Sequence, residues 1–437
     1  MSPRELAFKI LKNALSGATY SNIAIDNALK KNEMSQADAG LLTAIVMGVT
    51  ERKMTLDYII DKLSSRPDEV ESDTRILLQM GIYQVTYLDR IPEYAAVNET
   101  VSLAPRRSRG FVNAIMREYL RRKQKGTQKE LFPDEESEPI EFLSIYYSFP
   151  QDVCERFLSI YGLERTKKIF EIFNRPPKLT LRINTLKISR EDYARLLDER
   201  EIKYTLSERL ENAVLLENVS FGALPGFEEG YFFVQDEASQ TCVEAINAKT
   251  GMLMIDACSC PGSKSFGSAI KMKNEGKILS FDLHESKLKL IDKSAARLGI
   301  DIITAAVRDG RNLDESLVGR ADRVLCDVPC SGLGVIAKKP EIRYTSLADF
   351  ARLPEIQLAI LENCSKYVKD GGILVYSTCT VLPEENEMNV EKFLSSHPEF
   401  TPVDFAVGDI NSEGGMLSLA PDKHGTDGFF VAKFIKN

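Results

Sequence analysis

The sequence has no tryptophan and only three histidines among its 437 residues, and no long apolar run interrupts its mixed composition. A membrane-spanning helix needs about 20 consecutive apolar residues, and a signal peptide begins with a basic stretch followed by an apolar one. Neither pattern occurs, so we expect a cytoplasmic protein with no membrane partner. The start, MSPRELAFKI, instead predicts a helix with Ser2 as N-cap and Glu5 closing a capping box.

Eight cysteines are present, but none forms a CxxC pair or has metal-ligand spacing with His284, His397 or His424. We therefore expect no metal site and no thiol redox function, and no disulfide framework in a reducing compartment. The fingerprints GxGxxG and GxxxxGK(S/T) are also absent, which disfavours a dinucleotide or ATP as cofactor.

Charge is distributed unevenly although the net charge is −8. Residues 105–129 hold nine Lys or Arg and one acid, Glu118, whereas residues 130–141 hold six acids and no base. This reversal predicts a basic helix followed by a solvated linker. The basic stretch is either a polyanion-binding surface or a solvated helix face, and the sequence leaves both open. Its candidate RNA-binding residues are Arg106, Arg107, Arg109, Arg117, Arg121 and Arg122.

The chain divides into four predicted segments. Helical periodicity in residues 1–125 predicts an all-α bundle, and residues 126–140 form the acidic linker. Residues 141–230 mix helix and strand, which predicts a small α+β domain. From residue 231 to residue 437, short apolar strands alternate with helices, which predicts an α/β domain with a doubly wound, mostly parallel sheet.

One strand of the small domain is predicted around residues 179–188. There Thr180, Arg182 and Asn184 alternate with apolar residues, which is typical of a half-buried strand with a polar, partly basic face. Arg182 and Asn184 are therefore further candidate RNA-binding residues.

Acidic residues end the first strands of the large domain, where ligands of doubly wound sheets bind. Asp256 leads into a Pro-Gly turn, Asp282 follows the second strand, and Asp309 lies in the next turn. An acid at the second strand end can accept hydrogen bonds from ribose hydroxyls, and Gly262 allows close backbone approach. This pattern suits an adenosine-containing cofactor without a diphosphate, and S-adenosylmethionine is the candidate.

Two later strands end in turns that carry a cysteine each, in DVPCSG and YSTCTV. Carbon 5 of a pyrimidine becomes nucleophilic only after a thiolate adds to carbon 6, so an enzyme acting there needs a cysteine. Cys330 and Cys379 fit that need, because neighbouring strand ends bring them to one pocket. The cysteines on helical patterns, Cys154, Cys242 and Cys364, are expected to be buried small hydrophobes.

The stretches DACSCPGSKS, DVPCSGLGVIAKKPEIRY and YSTCTVLPEENE resemble the cofactor, substrate and nucleophile motifs of the Sun family of RNA cytosine-5 methyltransferases. The helical front, with IPEYAAVNETVSLAP, resembles the NusB-like domain of its RsmB-type members, which methylate small-subunit ribosomal RNA. The resemblance covers nearly the whole chain. It implies a NusB-like RNA-binding domain, a small RNA-recognition domain and a Rossmann-like class I methyltransferase domain, in a protein that need not be more than a monomer.

The resemblance also implies residue roles. Cys379 would attack carbon 6, Cys330 would assist removal of the carbon-5 proton and expulsion of the enzyme, and Asp327 would hydrogen-bond the base beside the cofactor. Lys264 would help polarise the base. The residues implied to bind S-adenosylmethionine are Cys258, Ser259, Cys260, Pro261, Gly262, Ser263, Lys264, Asp282, Asp309 and Asp327.

Five positions depart from the family pattern: Ser259 and Cys260 replace alanines, Ser263 a glycine, Val328 an alanine, and Tyr344 a tryptophan. Two alternatives to a cytosine-5 methyltransferase therefore stay open. A decayed methyltransferase domain would leave an RNA-binding or ribosome assembly factor, which would not bind S-adenosylmethionine. An amino-group base methyltransferase would form no covalent RNA adduct.

Overall fold

The computed structural model describes residues 1–14, 21–217, 219 and 221–437, which form two compact units. The N-terminal unit comprises Met1–Arg175 together with Ile336–Leu347. The C-terminal unit comprises Pro176–Val335 and Ala348–Asn437. A short segment from the second half of the chain thus belongs to the first unit.

The N-terminal unit is helical, as the periodicity predicts. Its helices are α1 (Pro3–Ala14), α2 (Ser21–Lys31), α3 (Gln36–Glu51), α4 (Lys53–Leu63), α5 (Ser72–Tyr87), α6 (Glu93–Leu103), α7 (Arg109–Lys125), α8 (Pro139–Tyr147), α9 (Gln151–Tyr161) and α10 (Leu163–Phe173). Short 3-10 turns cover Pro67–Glu69, Gln128–Leu131 and Pro340–Tyr344.

Local sequence signals set the helix starts in this unit. The predicted capping box of α1 is confirmed: Ser2 N donates to Glu5 Oε2 at 2.8 Å, and Glu5 N donates to Ser2 Oγ at 3.2 Å. Ser35 caps α3 by accepting from Asp38 N at 3.1 Å. The apolar face of α3 then enters the core, where Ile45 is fully buried.

The predicted linker, residues 126–140, is only partly solvated. Its acids Asp134 and Glu136 are exposed, but Leu131 is buried in the helical core and Phe132 packs against it. These two apolar side chains help to hold the charged stretch against the bundle.

The compact units also group the chain differently from the predicted segments at residue 141. Helices α8, α9 and α10 belong to the N-terminal unit, and the C-terminal unit begins at Pro176. Composition alone could not show this, because an amphipathic helix does not reveal which neighbour covers its apolar face.

The C-terminal unit alternates strands and helices. Its elements are β1 (Leu179–Ile183), α11 (Arg190–Asp198), β2 (Tyr204–Leu206), β3 (Ala213–Leu216), β4 (Phe232–Val234), α12 (Glu237–Ile246), β5 (Leu253–Asp256), α13 (Ser263–Lys271), β6 (Lys277–Asp282), α14 (Glu285–Leu298), β7 (Ile303–Val307), β8 (Ala321–Asp327), α15 (Leu347–Phe350), α16 (Leu353–Ser365), β9 (Val368–Thr378), α17 (Glu387–Ser396), β10 (Phe400–Pro402), β11 (Ala406–Val407), β12 (Ile410–Asn411), β13 (Met416–Leu419), α18 (Pro421–His424) and β14 (Phe429–Lys436). Short 3-10 turns cover Phe221–Ala223 and Glu315–Leu317.

The larger sheet has the strand order β10-β14-β9-β8-β5-β6-β7, with β13 paired to β14. Strands β5 to β9 pair in parallel, and β14 lies antiparallel to β9. Helices connect the parallel strands except β7 and β8, which are joined by a loop with a 3-10 turn. The predicted Rossmann-like sheet is confirmed, and it joins a helical N-terminal unit as expected.

The smaller sheet has the order β2-β3-β1-β4, and its pairs are antiparallel. Strand β1 lies inside this sheet and is buried on both faces, so the prediction of a half-buried strand is wrong. Arg182 is 1% exposed, and Asn184 is fully buried. Arg182 contacts Glu244 Oε1 at 3.4 Å, and Asn184 donates to the carbonyls of Gly230 and Leu298.

These two side chains are therefore not available to RNA. The alternating pattern was correct, but the polar face is covered by protein, because Arg182 lies over Gly267 of α13, a position without a side chain. The expectation that Arg182 and Asn184 bind RNA is corrected: they are interior hydrogen-bonding groups.

Over the described part of the chain, no helix is both long and apolar enough to cross a bilayer. Among the same residues, no group of three or more His, Cys, Asp or Glu side chains is arranged to hold a metal ion.

Candidate active site

The functional side chains of the C-terminal unit gather at one edge of the larger sheet. Asp256, Asp282, Asp327 and Thr378 are the last residues of β5, β6, β8 and β9. These strands are parallel, so their carboxyl ends meet at the same edge. The register places Asp327 directly beside Ser377 of β9. The turns that follow the strands therefore share one site.

The two predicted thiols lie together. The Sγ atoms of Cys330 and Cys379 are 3.0 Å apart, and the backbone N–H of Cys379 donates to Cys330 Sγ at 3.2 Å. Both side chains are half-buried. The hydrogen bond with Cys379 and burial raise the pKa of Cys330 well above its ordinary value.

A buried ion pair stands beside the thiols. Lys264 Nζ donates to Asp327 Oδ2 at 2.6 Å, and Ser377 Oγ donates to Asp327 Oδ1 at 2.7 Å. Burial by itself lowers the pKa of Lys264, but the charge of Asp327 outweighs it, so that pKa is raised and the amine stays charged. The ammonium also lies 5.2 Å from the ring centroid of Phe429. Both oxygens of Asp327 are thus held in fixed directions.

The turn after β5 follows the predicted Pro-Gly pattern. Ser259 N donates to the carbonyl of Phe281 at 2.8 Å, which ties the turn to β6. Gly262 has φ of +101°, and a Cβ there would come within 2.5 Å of the Phe266 ring, so only glycine fits. Helix α13 begins at the next residue, Ser263, and its first N–H groups face the turn. Such a cradle admits a ligand close to the backbone.

Asp256 lies under this turn and is fully buried. Its Oδ2 accepts from Ser265 at 2.7 Å, while its Oδ1 has no hydrogen-bond partner within the described residues. Burial raises the pKa of Asp256 to about 7, and the nearby charge of Asp327 adds to the rise. An orphaned acceptor at the strand end is free to meet a donor from a bound molecule.

The other two predicted cofactor acids differ in their contacts. Asp282 is 8% exposed and uses Oδ1 to accept from His284 N at 2.9 Å. Asp309 instead pairs with Arg311, whose Nη2 donates to Oδ2 at 2.6 Å and lowers the pKa of Asp309. Asp282 ends β6, the strand beside β5, and Asp309 follows β7, the next strand of the sheet, so the two acids lie in successive positions along this edge. The donors and acceptors of this edge therefore fit S-adenosylmethionine.

Two residues that the sequence interpretation missed lie directly behind the thiols. Glu385 Oε2 accepts from Ser331 N at 3.0 Å and from Gln357 Nε2 at 2.6 Å, and Gln357 Nε2 also donates to the carbonyl of Pro329 at 3.0 Å. Glu385 lies in the quoted YSTCTVLPEENE stretch, so an acid six residues after Cys379 was a usable signal. Gln357 lies on α16, and nothing in the local sequence marked it.

The remaining cysteines divide as predicted. Cys154, Cys242 and Cys364 are fully buried, which agrees with small hydrophobic roles. Cys326 is also fully buried, whereas Cys260 in the turn after β5 is partly exposed.

The candidate RNA-binding arginines of the N-terminal unit are on or next to α7. Those exposed to solvent are Arg106, Arg107, Arg109, Arg117 and Arg121. Arg121 and Arg122 both bind Glu118, at 2.8 and 2.9 Å, and Arg107 binds Glu71 at 2.8 Å. The surface is basic, but part of its charge is already compensated.

Known protein families match the chain along most of its length. The model described as 16S rRNA methyltransferase RsmB/F matches residues 243–435, and the NusB family model matches residues 1–121. A model for the ferredoxin-like domain of RsmF/B-like methyltransferases matches residues 149–220.

Curated relatives have similar lengths. The "Probable ribosomal RNA small subunit methyltransferase B" of Bacillus subtilis is 36% identical over 100% of this chain and 99% of its own. A protein of that same name from Synechocystis is 36% identical over 100% of both chains. The "Ribosomal RNA small subunit methyltransferase B" of Escherichia fergusonii is 32% identical over 93% of this chain and 92% of its own.

Solved structures agree with the fold. The crystal structure of PH0851 has a TM-score of 0.81 at 28% identity and covers 100% of this chain and 99% of its own. NSun6 from Pyrococcus horikoshii, solved with SFG, has a TM-score of 0.60 at 23% identity, over 66% of this chain and 99% of its own, and supports the fold alone. The predicted family resemblance and the predicted cofactor class, S-adenosylmethionine, are confirmed by these matches.

Proposed function

This chain belongs to the RsmB/F family of 16S rRNA methyltransferases, and we propose that it methylates carbon 5 of a cytosine through a covalent bond to Cys379. Family membership establishes the coarser function, a ribosomal RNA methyltransferase that uses S-adenosylmethionine. The contact between two thiols at adjacent strand ends, 3.0 Å apart, carries the finer proposal. Methylation of an amino group or a ribose oxygen has no use for a thiol pair.

In the proposed first step, the Cys379 thiolate forms a bond to carbon 6 of the cytosine. The electron pair of the carbon 5–carbon 6 double bond then makes carbon 5 nucleophilic. S-adenosylmethionine, when bound, supplies the methyl group that carbon 5 takes up. The target base must leave its stack to reach Cys379.

In the proposed last step, a base removes the proton from carbon 5. The electrons of that C–H bond restore the double bond, the carbon 6–sulfur bond breaks, and Cys379 leaves as a thiolate. We assign this assistance to Cys330, whose sulfur lies next to that of Cys379. In this step Cys330 acts in its thiolate form, takes up the carbon-5 proton and ends as a thiol.

Asp327 is proposed to bind the base on its amino edge. Its side chain is 26% exposed while both oxygens are held by Lys264 and Ser377, so it offers a carboxylate in a fixed direction. The charged Lys264 is proposed to stabilise negative charge that develops on the pyrimidine ring.

The cofactor is proposed to bind along the turn after β5 and the ends of the next two strands. Residues 258–264 would surround its methionine part, Asp282 would accept from the ribose, and Asp309 would lie at the adenine side. The orphaned Oδ1 of Asp256, under the turn, supports this location because it can accept a further hydrogen bond. For the RNA, the exposed arginines of α7 are proposed to contact phosphates.

The decisive experiment uses RNA that carries 5-fluorocytosine. Fluorine cannot leave as a proton, so the wild type should form a lasting covalent complex, visible as a shifted band on a denaturing gel. Cys379→Ala should abolish the complex, and Cys330→Ala should retain it. Cys154→Ala, a fully buried cysteine of the N-terminal unit, is the matched control and should behave as wild type.

The reverse pattern, with the complex lost in Cys330→Ala and kept in Cys379→Ala, would invert the two roles. A complex that survives both changes would rule out the thiol mechanism. If the wild type neither forms the complex nor binds S-adenosylmethionine, the decayed-domain alternative replaces this proposal.

A further inference from the structure

Two side chains form hydrogen bonds with the backbone on either side of Cys330. Gln357 Nε2 donates to the carbonyl of the preceding residue, Pro329, at 3.0 Å. Glu385 Oε2 accepts from the N–H of the following residue, Ser331, at 3.0 Å. The two side chains also bind each other at 2.6 Å. Cys330 is therefore the centre of a closed set of hydrogen bonds.

The pair comes from separate elements and is itself held in place. Gln357 lies on α16, and Glu385 lies in the loop between β9 and α17. Tyr376 OH donates to the carbonyl of Glu385 at 2.5 Å, and Asn389 Nδ2 donates to Gln357 Oε1 at 3.1 Å. Both residues are therefore held by groups other than the backbone around Cys330, so they can serve as a fixed support for it.

Burying these two polar side chains costs folding free energy, and a functional role would explain why they are present. Gln357 is fully buried and Glu385 is 1% exposed, and Glu385 Oε1 has no hydrogen-bond partner among the described residues. A buried carboxylate with one unpaired oxygen destabilises the fold. An apolar side chain would fill the same space at lower cost, yet it could not hold the Ser331 N–H.

We propose that Gln357 and Glu385 are positioning residues that hold the sulfur of Cys330 where the carbon-5 proton is removed. The inference rests on the proposed function, because it assigns Cys330 to the last step. Neither residue touches the reacting atoms. Loss of either one should therefore spare bond formation by Cys379 and slow the release of the enzyme from methylated RNA.

The charge of Glu385 supports the same role. The pKa of Cys330 is raised mainly by the hydrogen bond with Cys379 and by burial, and the negative charge of Glu385 contributes to the rise. A raised pKa makes the Cys330 thiolate a stronger base when it takes up the carbon-5 proton.

The test compares Glu385→Leu and Gln357→Leu with Cys330→Ala, using the full-length protein. In Glu385→Leu, the Ser331 N–H and Gln357 Nε2 both lose the oxygen, Oε2, to which they donate. Gln357→Leu removes both of the hydrogen bonds that Gln357 donates. Methyl transfer is measured with radiolabelled S-adenosylmethionine, and covalent complexes with ordinary cytosine RNA are counted on denaturing gels.

We expect turnover to fall on the order of 10²-fold in both variants, as a misplaced group would cause. A covalent complex with ordinary RNA should accumulate, as in Cys330→Ala, while trapping by 5-fluorocytosine RNA keeps the wild-type rate. Glu391→Leu, the same change at an exposed position of α17, is the control and should alter nothing. Thermal unfolding checks that each variant is folded, and Gln357→Asn replaces any variant that is not.

The inference is overturned if turnover and trapping fall in parallel, because a positioning role for Cys330 alone cannot slow the attack by Cys379. It is also overturned if both variants keep wild-type turnover. If Cys330→Ala itself accumulates no complex, the proposed role of Cys330 in the last step is wrong. That outcome differs from one in which Cys330→Ala accumulates the complex but the Gln357 and Glu385 variants do not, which would refute only their positioning role.

Discussion

Polar residues in the two sheets of the C-terminal unit differ in their exposure to solvent. Asp327 and Ser377 lie at or next to the carboxyl ends of β8 and β9, and Asp327 remains 26% exposed. Arg182 lies within β1 and is 1% exposed. In the sequence both positions are polar residues in apolar strands. The exposure of a polar group in a strand therefore depends on what covers it, and at the end of β8 the covering leaves Asp327 accessible.

Asp327 and Arg182 have different kinds of hydrogen-bond partners. Asp327 has Lys264 and Ser377 as donors, and these are arranged around an open edge. Arg182 is enclosed, with Glu244 and Gln235 as its acceptors, and burial lowers its pKa. Asp327 is therefore placed for a role in the reaction, whereas Arg182 makes interior contacts that hold parts of the fold together.

The largest effect is expected from Lys264→Met. The change removes the charge beside Asp327 and leaves Asp327 Oδ2 without its donor, so methyl transfer should fall on the order of 10²–10³-fold. Radiolabelled methyl transfer under saturating RNA measures it. Lys277→Met, an exposed lysine at the opposite end of β6, should have no effect. Unchanged activity in Lys264→Met would show that Lys264 has no role in methyl transfer. The contrast between the Asp327 group and Arg182 would then have no functional meaning.

An effect of intermediate size is expected on RNA binding, which should depend on the surface arginines and not on the buried Arg182. Changing Arg106, Arg117 and Arg121 to Gln together should weaken RNA binding and reduce the slope of log affinity against log salt by about 2, since each phosphate contact contributes about 0.7. Filter binding over a range of salt concentrations measures the slope.

Arg182→Met is the paired variant in that experiment. It should leave the salt slope unchanged and lower the free energy of unfolding by about 1–3 kcal/mol, because Glu244 loses one partner. A salt slope that falls in Arg182→Met would mean that Arg182 reaches RNA after all.

The smallest effect concerns Asp256 and pH. Its pKa is raised to about 7 in the folded state, so between about pH 4 and pH 7 the folded protein binds more protons than the unfolded chain. The contribution of this carboxyl to stability is therefore lost as pH rises through that window. Asp256→Asn does not titrate, so its melting temperature relative to wild type should rise by a few degrees from pH 5 to pH 8. A constant difference would show that Asp256 is ionised throughout.

Much of the fold could be predicted from local signals. The capping box at Ser2, the apolar spacing of α3 and the short strands ending in Asp256, Asp282 and Asp327 each depend on a few neighbouring residues. The same holds for the glycine at 262, which its turn requires. Signals of this kind are readable because the physics that produces them is local.

Other features depended on partners far away in the chain. The 336–347 segment belongs to the N-terminal unit, and Arg343 there is fully buried with its Nη1 2.7 Å from Asn174 Oδ1. Nothing near residue 343 indicates that a helical unit will enclose it. The same is true of Gln357, whose role appears only beside Pro329 and Glu385.

The sequence by itself determined the order of strands and helices, the strand-end turns and the residue types needed for thiol chemistry, because all of these are encoded by spacing and composition. Only the tertiary structure decided that Cys330 meets Cys379 at 3.0 Å, that Arg182 is enclosed, and that Glu385 holds the backbone beside Cys330. The reason is physical: burial and hydrogen-bond pairing are properties of packed neighbours, and residues that are 49 or 54 positions apart become neighbours only when the sheet forms.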